Sequence, residues 1–232
     1  MGEVQRTYLP AASYDWVLPL YDPLVKLLGV DAVRRALLDQ AAVRPTHRVL
    51  DIGCGTGTLA TLIKRSYPSV EVVGLDPDLK ALARGRRKAH RAAVSVQFDQ
   101  GFSDDLPYPE ASFDRVFSSF MLHHLRAHER EKTLCEVRRV LKPEGSLYIL
   151  DFVRPEAQEN DWLASLIHSS HRLKDNSEAR ILTLMRQAGF QCSKKVMEGA
   201  VLFGSLPVAC YQASVPNLAT EPDSIGCECG RS

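Results

Sequence analysis

Residues 49–60, which read VLDIGCGTGTLA, contain the pattern that decides the fold. An apolar run ending at Ile52 is typical of a buried strand, and glycines follow it at positions 53, 55 and 57. After them, apolar residues recur at helical spacing: Leu59, Leu62, Ile63 and Tyr67. The stretch therefore predicts a strand, a tight turn and a helix. Such a turn lets a ligand lie against the main chain, where the free N–H groups of the helix start face it.

A second predicted strand, residues 70–76, ends in an acid 19 residues after Gly57. In a strand–turn–helix–strand unit, an acid at that place can accept hydrogen bonds from both hydroxyls of a ribose. The pattern fits either a nicotinamide dinucleotide or S-adenosylmethionine.

Two details favour S-adenosylmethionine. The glycines follow Gly-x-Gly-x-Gly, whereas a pyrophosphate site has Gly-x-Gly-x-x-Gly. Asp51 stands two residues before Gly53, where it can orient the turn or meet a cationic ammonium group. A phosphate ligand would be repelled there.

Four stretches in order resemble the class I S-adenosylmethionine-dependent methyltransferases. Residues 51–57 and 74–76 are similar to the first two motifs of that family. Residues 106–114 and 141–147 extend the resemblance to the branch related to ubiquinone and menaquinone biosynthesis, over roughly residues 14–213. The resemblance implies an α/β, doubly wound, Rossmann-like fold. It has a mostly parallel seven-stranded sheet with an antiparallel last strand, and helices on both faces.

The same resemblance implies S-adenosylmethionine as cofactor, S-adenosylhomocysteine as product and a small molecule as methyl acceptor. The resemblance also implies which residues bind the cofactor. They are Tyr21, Asp51, Gly53, Cys54, Gly55, Asp76, Pro77, Gly101, Phe102, Ser103 and Ser118.

Two of these predictions leave alternatives open. The aromatic residues Tyr14, Trp16 and Tyr21 can equally well pack the N-terminal segment onto the domain. Family members commonly have Asp, which accepts a hydrogen bond from adenine, where this chain has Phe102. Adenine is then held either by stacking on Phe102 and by the Ser103 backbone, or by a neighbour such as Asp99 or Asp104.

The predicted catalytic residues are His123 and His124, which follow the fourth predicted strand, residues 113–119. Methyl transfer from a sulfonium is an in-line displacement, so the protein supplies alignment and, for a protonated acceptor, a base. Histidine titrates near neutral pH, and ligands of open α/β sheets bind at the carboxyl ends of strands. The alternative is that one histidine hydrogen-bonds within the loop while the other faces solvent. Asp151 is a weaker candidate.

Bulk properties limit the partners. The chain has 232 residues, is 45% hydrophobic and carries a formal net charge of +1, so no overall basic field attracts nucleic acid. The basic run at 84–91 lacks interleaved aromatics and is interpreted as a solvated helix face. The first residues lack the apolar core of a signal peptide, and no apolar run has the length of a membrane span. We therefore expect a cytoplasmic protein, monomeric or homodimeric, without a disulfide framework.

The predicted organisation has three parts. Residues 1–45 form a helical cap, residues 46–213 the cofactor-binding domain and residues 214–232 a disordered tail; within the domain, residues 152–176 are an insertion that covers the acceptor. The tail contains Cys227 and Cys229, too few ligands for a closed metal site, so no metal is predicted.

Three functions follow from these patterns. The leading one is methyl transfer to a small molecule. The second is a non-catalytic S-adenosylmethionine-binding module, which the intact motifs do not exclude. The third, a nicotinamide-dependent oxidoreductase, is disfavoured by the glycine spacing.

Overall fold

A seven-stranded sheet with the strand order β3-β2-β1-β4-β5-β7-β6 forms the centre of the molecule. The computed structural model describes residues 30–153, 176–201 and 206–216. The strands are β1 (Arg48–Ile52), β2 (Glu71–Asp76), β3 (Gln97–Gln100), β4 (Phe113–Ser119), β5 (Leu141–Phe152), β6 (Gln191–Val201) and β7 (Leu206–Ser214).

The first five strands pair in parallel, and β7 pairs antiparallel with both β5 and β6. The predicted sheet, with its antiparallel last strand, is confirmed. The strand order reverses between β1 and β4, so a crevice for ligands is expected at their carboxyl ends.

Helices cover both faces of the sheet, as predicted. They are α1 (Val30–Gln40), α2 (Thr58–Ser66), α3 (Leu79–Arg91), α4 (Ala127–Val140) and α5 (Glu178–Gln187). Consecutive strand residues point to opposite faces, and Val49 joins the apolar cluster under α1–α3 while Leu50 joins the cluster under α4 and α5. The alternation along β1 therefore buries the sheet on both sides.

Two predicted boundaries are wrong. The alternation of apolar residues in VSVQF predicts a third strand over 94–98. The strand begins only at Gln97, because Ala93 has φ +52° and Val94 still donates a hydrogen bond to Ala89 O of the preceding helix. Leu134, Val137 and Leu141 at helical spacing, followed by Pro143 and Gly145, predict a helix that ends at these last two residues. It ends at Val140, and residues 142–145 instead lie in a bulge of β5 opposite β4.

One aromatic ring supports the glycine turn from within the core. A Cβ at Gly57 would lie 2.6 Å from Cε1 of Phe98, and a Cβ at Gly85 or Gly74 would lie 2.9 or 3.1 Å from the same ring. Phe98 is 6% exposed, so it has little room to move away. These three glycines are therefore needed for close packing around Phe98.

Several predictions fall outside the described residues. They concern Tyr21 and most of the cap, residues 154–175 of the insertion, and the tail with Cys227 and Cys229. The proposed domain boundaries remain predictions. Within the described parts, no helix combines the length and the apolar character of a membrane span.

Candidate active site

The glycine turn leaves β1 with a backbone that favours glycine. Gly53, Gly55 and Gly57 have φ values of 63°, 53° and 67°, as their pattern predicted. At Gly53 there is a second constraint, since a Cβ would lie 2.2 Å from Cγ of Met121. The turn is thus a stretch of main chain that lies beneath the loop after β4, buried at Cys54, Thr56 and Gly57 and half-buried at Gly53 and Gly55.

Asp76 joins this turn to the end of β2. Its Oδ2 accepts a hydrogen bond from Gly55 N at 2.8 Å, and its Oδ1 accepts one from Asp78 N at 2.9 Å. Burial raises the pKa of Asp76, although these two N–H groups oppose that rise. A carboxylate has about four acceptor positions, so capacity remains for two ribose hydroxyls.

Asp51 is a second buried carboxylate, 1% exposed, at the carboxyl end of β1. Its Oδ2 accepts a hydrogen bond from Ala60 N at 3.2 Å, so it does orient the start of α2. Burial raises the pKa of Asp51 to about 7, against the charge of Arg34, which lowers it. A ligand cation placed beside this carboxylate would replace the hydration that it loses on folding.

The region expected to hold adenine is fixed by several contacts. Gly101 N donates to Asp76 O, the Gln100 side chain donates to Pro77 O, and Ser103 Oγ lies 2.9 Å from Thr133 Oγ1. Asp99 accepts hydrogen bonds from the Tyr108 hydroxyl and the Gln97 side chain. Both bonds are to Oδ2, so the Asp99 carboxylate keeps acceptor capacity and remains a candidate for the adenine amino group. Stacking on Phe102 and contact through Asp104 both remain predictions.

The end of β4 combines a buried hydroxyl with an unusual backbone. Ser118 is 1% exposed, and its Oγ has no hydrogen-bond partner within the described ranges. Phe120 has φ +56°, a left-handed conformation that is rare for a bulky residue. Such local strain tends to gather at functional sites.

His123 and Asp151 form a closely bonded pair. His123 Nδ1 lies 2.6 Å from Asp151 Oδ1, and His123 N donates to Asp151 Oδ2 at 3.0 Å. Asp151 is fully buried, whereas the His123 side chain is 12% exposed. When Asp151 is ionised it only accepts hydrogen bonds, so Nδ1 then carries the proton and Nε2 is the basic nitrogen.

Aromatic rings surround this pair. The ring of His124 lies 4.0 Å from that of His123, and Phe152 lies 5.3 Å from His123. Phe120 in turn lies 4.9 Å from Phe152. The two predicted catalytic histidines are therefore together, and Asp151 orients His123.

Sequence reasoning missed Arg34 of α1. Its side chain reaches the end of β4, where Nε lies 3.5 Å from Ser119 Oγ. A signal was present in the sequence: Val30, Arg34, Leu37 and Leu38 share the buried face of the helix. A charged residue on an apolar face indicates a special role or partner.

These donors and acceptors fit the predicted cofactor. Asp76 suits the ribose hydroxyls, and Asp51 suits the ammonium group. The half-buried main chain at Gly53 and Gly55 suits the adjoining contacts, and Ser118 offers an unsatisfied buried hydroxyl. In the described part of the chain, no group of three or more metal-binding side chains is present. The cysteines described, Cys54, Cys135, Cys192 and Cys210, are all free thiols.

Comparisons with known proteins agree with this geometry. A family model described as "Methyltransferase domain" matches residues 49–145. A demethylmenaquinone methyltransferase of Thermus thermophilus is 38% identical over 142 residues, which cover 60% of this chain and 64% of that protein. An uncharacterized methyltransferase of Synechocystis sp. is 33% identical over 165 residues, which cover 70% of this chain and 72% of that protein.

Among solved structures, the YcgJ protein of Bacillus subtilis superimposes with a TM-score of 0.64. It is 21% identical, and the match covers 79% of this chain and 97% of that one, which shows the shared fold. The chain spans just under two thirds of the length of the Thermus relative. From the motifs, the sheet order and the Synechocystis match together, the chain belongs to the class I S-adenosylmethionine-dependent methyltransferases.

Proposed function

We propose that the protein transfers a methyl group from S-adenosylmethionine to a small-molecule acceptor by in-line displacement. One observation supports this most directly: the glycine turn with Asp76 and the His123–Asp151 pair lie at the same carboxyl edge of the sheet. A cofactor held at the first would present its reactive end toward the second.

The binding roles are distributed along that edge. Asp76 would accept the ribose hydroxyls, Asp51 would meet the ammonium group, and the main chain at 53–55 would lie against the methionine moiety. Pro77, Gly101, Phe102 and Ser103 would surround the adenine, and Tyr21 would cover the cofactor from the N-terminal segment. When bound, S-adenosylmethionine supplies an electrophilic methyl group on a sulfonium.

We further propose His123 as the base for an acceptor that carries a hydroxyl, a thiol or an acidic carbon. Asp151 would be a positioning residue: it fixes the tautomer of His123 and stabilises the imidazolium formed when Nε2 takes the proton. A positioned base of this kind typically accelerates a reaction about 10²–10⁴-fold. His124 would then contribute through its ring, which lies beside that of His123 at a tilt of 40°.

The surroundings favour a planar, largely apolar acceptor. Phe120 and Phe152 form a continuous aromatic surface with His123, and aromatic rings pack well against other rings. The Thermus relative is named for action on demethylmenaquinone, which makes quinone precursors the first acceptors to assay.

A nucleic-acid partner is not part of this proposal. Basic side chains of α3 bind within the domain: Arg86 donates to Phe98 O at 2.7 Å, and Lys88 donates to Thr56 and Thr58. With a net charge of +1, the chain has no field that would gather polyanions. We propose that the protein acts in the cytoplasm as a monomer or homodimer.

Two measurements test the proposal. Titration calorimetry with S-adenosylhomocysteine and with NAD should show binding of the first only; the reverse would indicate an oxidoreductase. Formation of S-adenosylhomocysteine should then be followed with a panel of quinone precursors, phenols, thiols and amines. Binding without turnover on any acceptor would favour the non-catalytic module.

A further inference from the structure

Arg34 is a buried cation with few acceptors around it. The residue is 7% exposed, and its Nη1 makes no hydrogen bond among the residues described. Its ion pair with Asp31 is long, 3.7 Å between Nη1 and Oδ1, and its contact with Ser119 Oγ is 3.5 Å. A guanidinium has five N–H donors and normally finds a planar oxyanion when it is buried.

Arg34 lies at the carboxyl end of β4, on the edge of the sheet that carries the proposed cofactor site. Its guanidinium carbon lies 5.9 Å from the centre of the Phe120 ring, directly after β4. Its charge also acts on Asp51 at the end of β1. Arg34 and Asp51 are therefore opposite charges at the carboxyl ends of the adjacent strands β4 and β1. Ser118 of β4, which pairs with Ile52, has an unsatisfied hydroxyl at the same end of the sheet.

The methionine end of the cofactor is a zwitterion, with a carboxylate and an ammonium group on one carbon. Asp51 matches the ammonium, and the carboxylate then needs a cation. Other cations near the turn have acceptors: Lys88 donates to Thr56 and Thr58, and Arg86 donates to Phe98 O. Arg34 Nη1, by contrast, has no hydrogen bond among the described residues, only the 3.7 Å ion pair with Asp31, and the side chain is already desolvated.

We propose that Arg34 binds the carboxylate of the methionine moiety of S-adenosylmethionine, opposite Asp51. This inference rests on the proposed function. Together the two side chains form a dipolar site for a free amino-acid group. The site discriminates against adenosyl thioethers that lack the carboxylate.

The test compares two ligands that differ only in the carboxylate: S-adenosylhomocysteine and its decarboxylated amine, S-adenosyl-3-thiopropylamine. Wild-type protein should bind the first at least about tenfold more tightly in calorimetry, which is the scale of a charge-assisted hydrogen bond. Arg34→Met should remove that preference by weakening S-adenosylhomocysteine while leaving the amine unchanged. Arg34→Lys should restore part of it.

Arg35→Met is the matched control, because Arg35 is the exposed neighbour on the same helix. It should leave both affinities unchanged. Equal weakening of both ligands by Arg34→Met, or no weakening of either, would overturn the proposal. If Arg34→Met does not fold, the proposal is tested by the preference of the wild type for S-adenosylhomocysteine over the amine and by its partial retention in Arg34→Lys. A wild type that binds both ligands equally would overturn the proposal. A wild type that binds neither ligand would instead contradict the proposed function itself.

Discussion

Asp76 links two loops in addition to its proposed role toward the ribose. Replacing it by alanine should weaken S-adenosylhomocysteine binding by about 1–3 kcal/mol, or roughly 5- to 150-fold, through lost hydrogen bonds. The Tm should fall too, because the N–H groups of Gly55 and Asp78 lose their acceptor. Asp76→Asn keeps an oxygen acceptor and should be intermediate. Calorimetry showing unchanged affinity in a folded Asp76→Ala protein would remove this residue from the site.

Asp51 should make cofactor binding depend on pH. Its pKa is raised to about 7 by burial, and only the ionised carboxylate attracts an ammonium group. The affinity for S-adenosylhomocysteine should therefore hold above pH 7 and fall by up to about tenfold per unit below it. Calorimetry from pH 5.5 to 8.5 measures this, with Asp51→Asn as the variant that should have a flat profile. A wild-type profile as flat as that of the variant would contradict the role.

The same raised pKa has the opposite consequence for the protein without cofactor. Protonated Asp51 is favoured in the folded state, so its contribution to stability is present at low pH and is lost as the pH rises from 3.8 to about 7. Asp51→Asn should consequently raise the free energy of unfolding at pH 8 by roughly 1–4 kcal/mol. Urea unfolding of both proteins at pH 8 and pH 5 measures the effect, which should shrink at pH 5.

His123 and Asp151 should control turnover and leave cofactor affinity alone. With an acceptor identified, His123→Asn should lower kcat by about 10²–10⁴-fold. Asp151→Asn should lower kcat and displace its pH profile, because the tautomer is no longer fixed. His124→Asn, which keeps the pair intact, is the control and should have the smallest effect. If His123→Asn has the kcat of the wild type, this histidine has only a structural role in the loop.

The site residues that sequence predicted are those carried by local patterns. Asp51, Asp76 and the glycines lie in short motifs whose spacing already specifies a turn and a strand end. The bond between His123 and Asp151 joins residues 28 positions apart, and it depends on the parallel pairing of β4 with β5. Arg34 lies in no motif; its only sequence signal is a place on the apolar face of α1, and its contact with the end of β4 depends on how that helix packs.

At the level of elements, the start of α3 supports the site. Asp78 is the N-cap, and its Oδ1 accepts hydrogen bonds from Lys80 N at 2.8 Å and Ala81 N at 3.3 Å. Its own N–H donates to Asp76. The helix start thereby fixes the position of the carboxylate proposed to hold the ribose.

Loss of this cap should affect both stability and binding. Asp78→Ala should lower the free energy of unfolding by about 0.5–2 kcal/mol, measured by urea denaturation. A smaller loss of S-adenosylhomocysteine affinity should accompany it, because the Asp78 N–H keeps its acceptor while the helix start loosens. Asp78→Asn, another good N-cap residue, should behave like wild type. Equal destabilisation by both variants would argue against the capping explanation.

Elements were predicted well where apolar periodicity was strong, as in β1, β2 and β4. Predicted boundaries were wrong at the start of β3 and the end of α4, where the backbone departs from ordinary angles or from regular pairing. Ala93 has φ +52° and delays β3, although nothing in an alanine signals a left-handed conformation. Pro143 and Gly145 are ordinary signals for a helix end, but here they occupy a bulge within β5.

Across the whole molecule, the carboxyl ends of the strands carry the candidate site, whereas a group at their amino ends stabilises the fold. At the amino ends of the strands, Asp114 Oδ2 accepts hydrogen bonds from Arg48 N and Lys142 Nζ, both at 2.8 Å. Burial would raise the pKa of Asp114, but these hydrogen bonds outweigh it and hold the pKa below its usual value. This group ties β1, β4 and β5 together far from the glycine turn.

Asp114→Asn should therefore weaken the fold without changing the cofactor site. The lost stability, no more than about 1 kcal/mol for such a partly exposed pair, should be visible at neutral pH. It should vanish as the pH falls below the usual range of an aspartate, where wild-type Asp114 also becomes protonated. Thermal unfolding between pH 3 and pH 7 tests this. A changed affinity for S-adenosylhomocysteine would show that the two ends are coupled.

The ring of Phe98 also has a consequence for redesign of this protein. Gly57 and Gly85 come from separate segments, yet both are kept small by the same ring, and at Gly74 the ring acts together with Cys54 Sγ, 2.9 Å from an added Cβ. A library that varies them singly would recover only glycine. Larger residues become admissible at Gly85, which has no positive φ, once Phe98 is exchanged for a smaller one. Substitutions here must be made jointly, because the size of the buried residue at position 98 limits which residues fit at these positions.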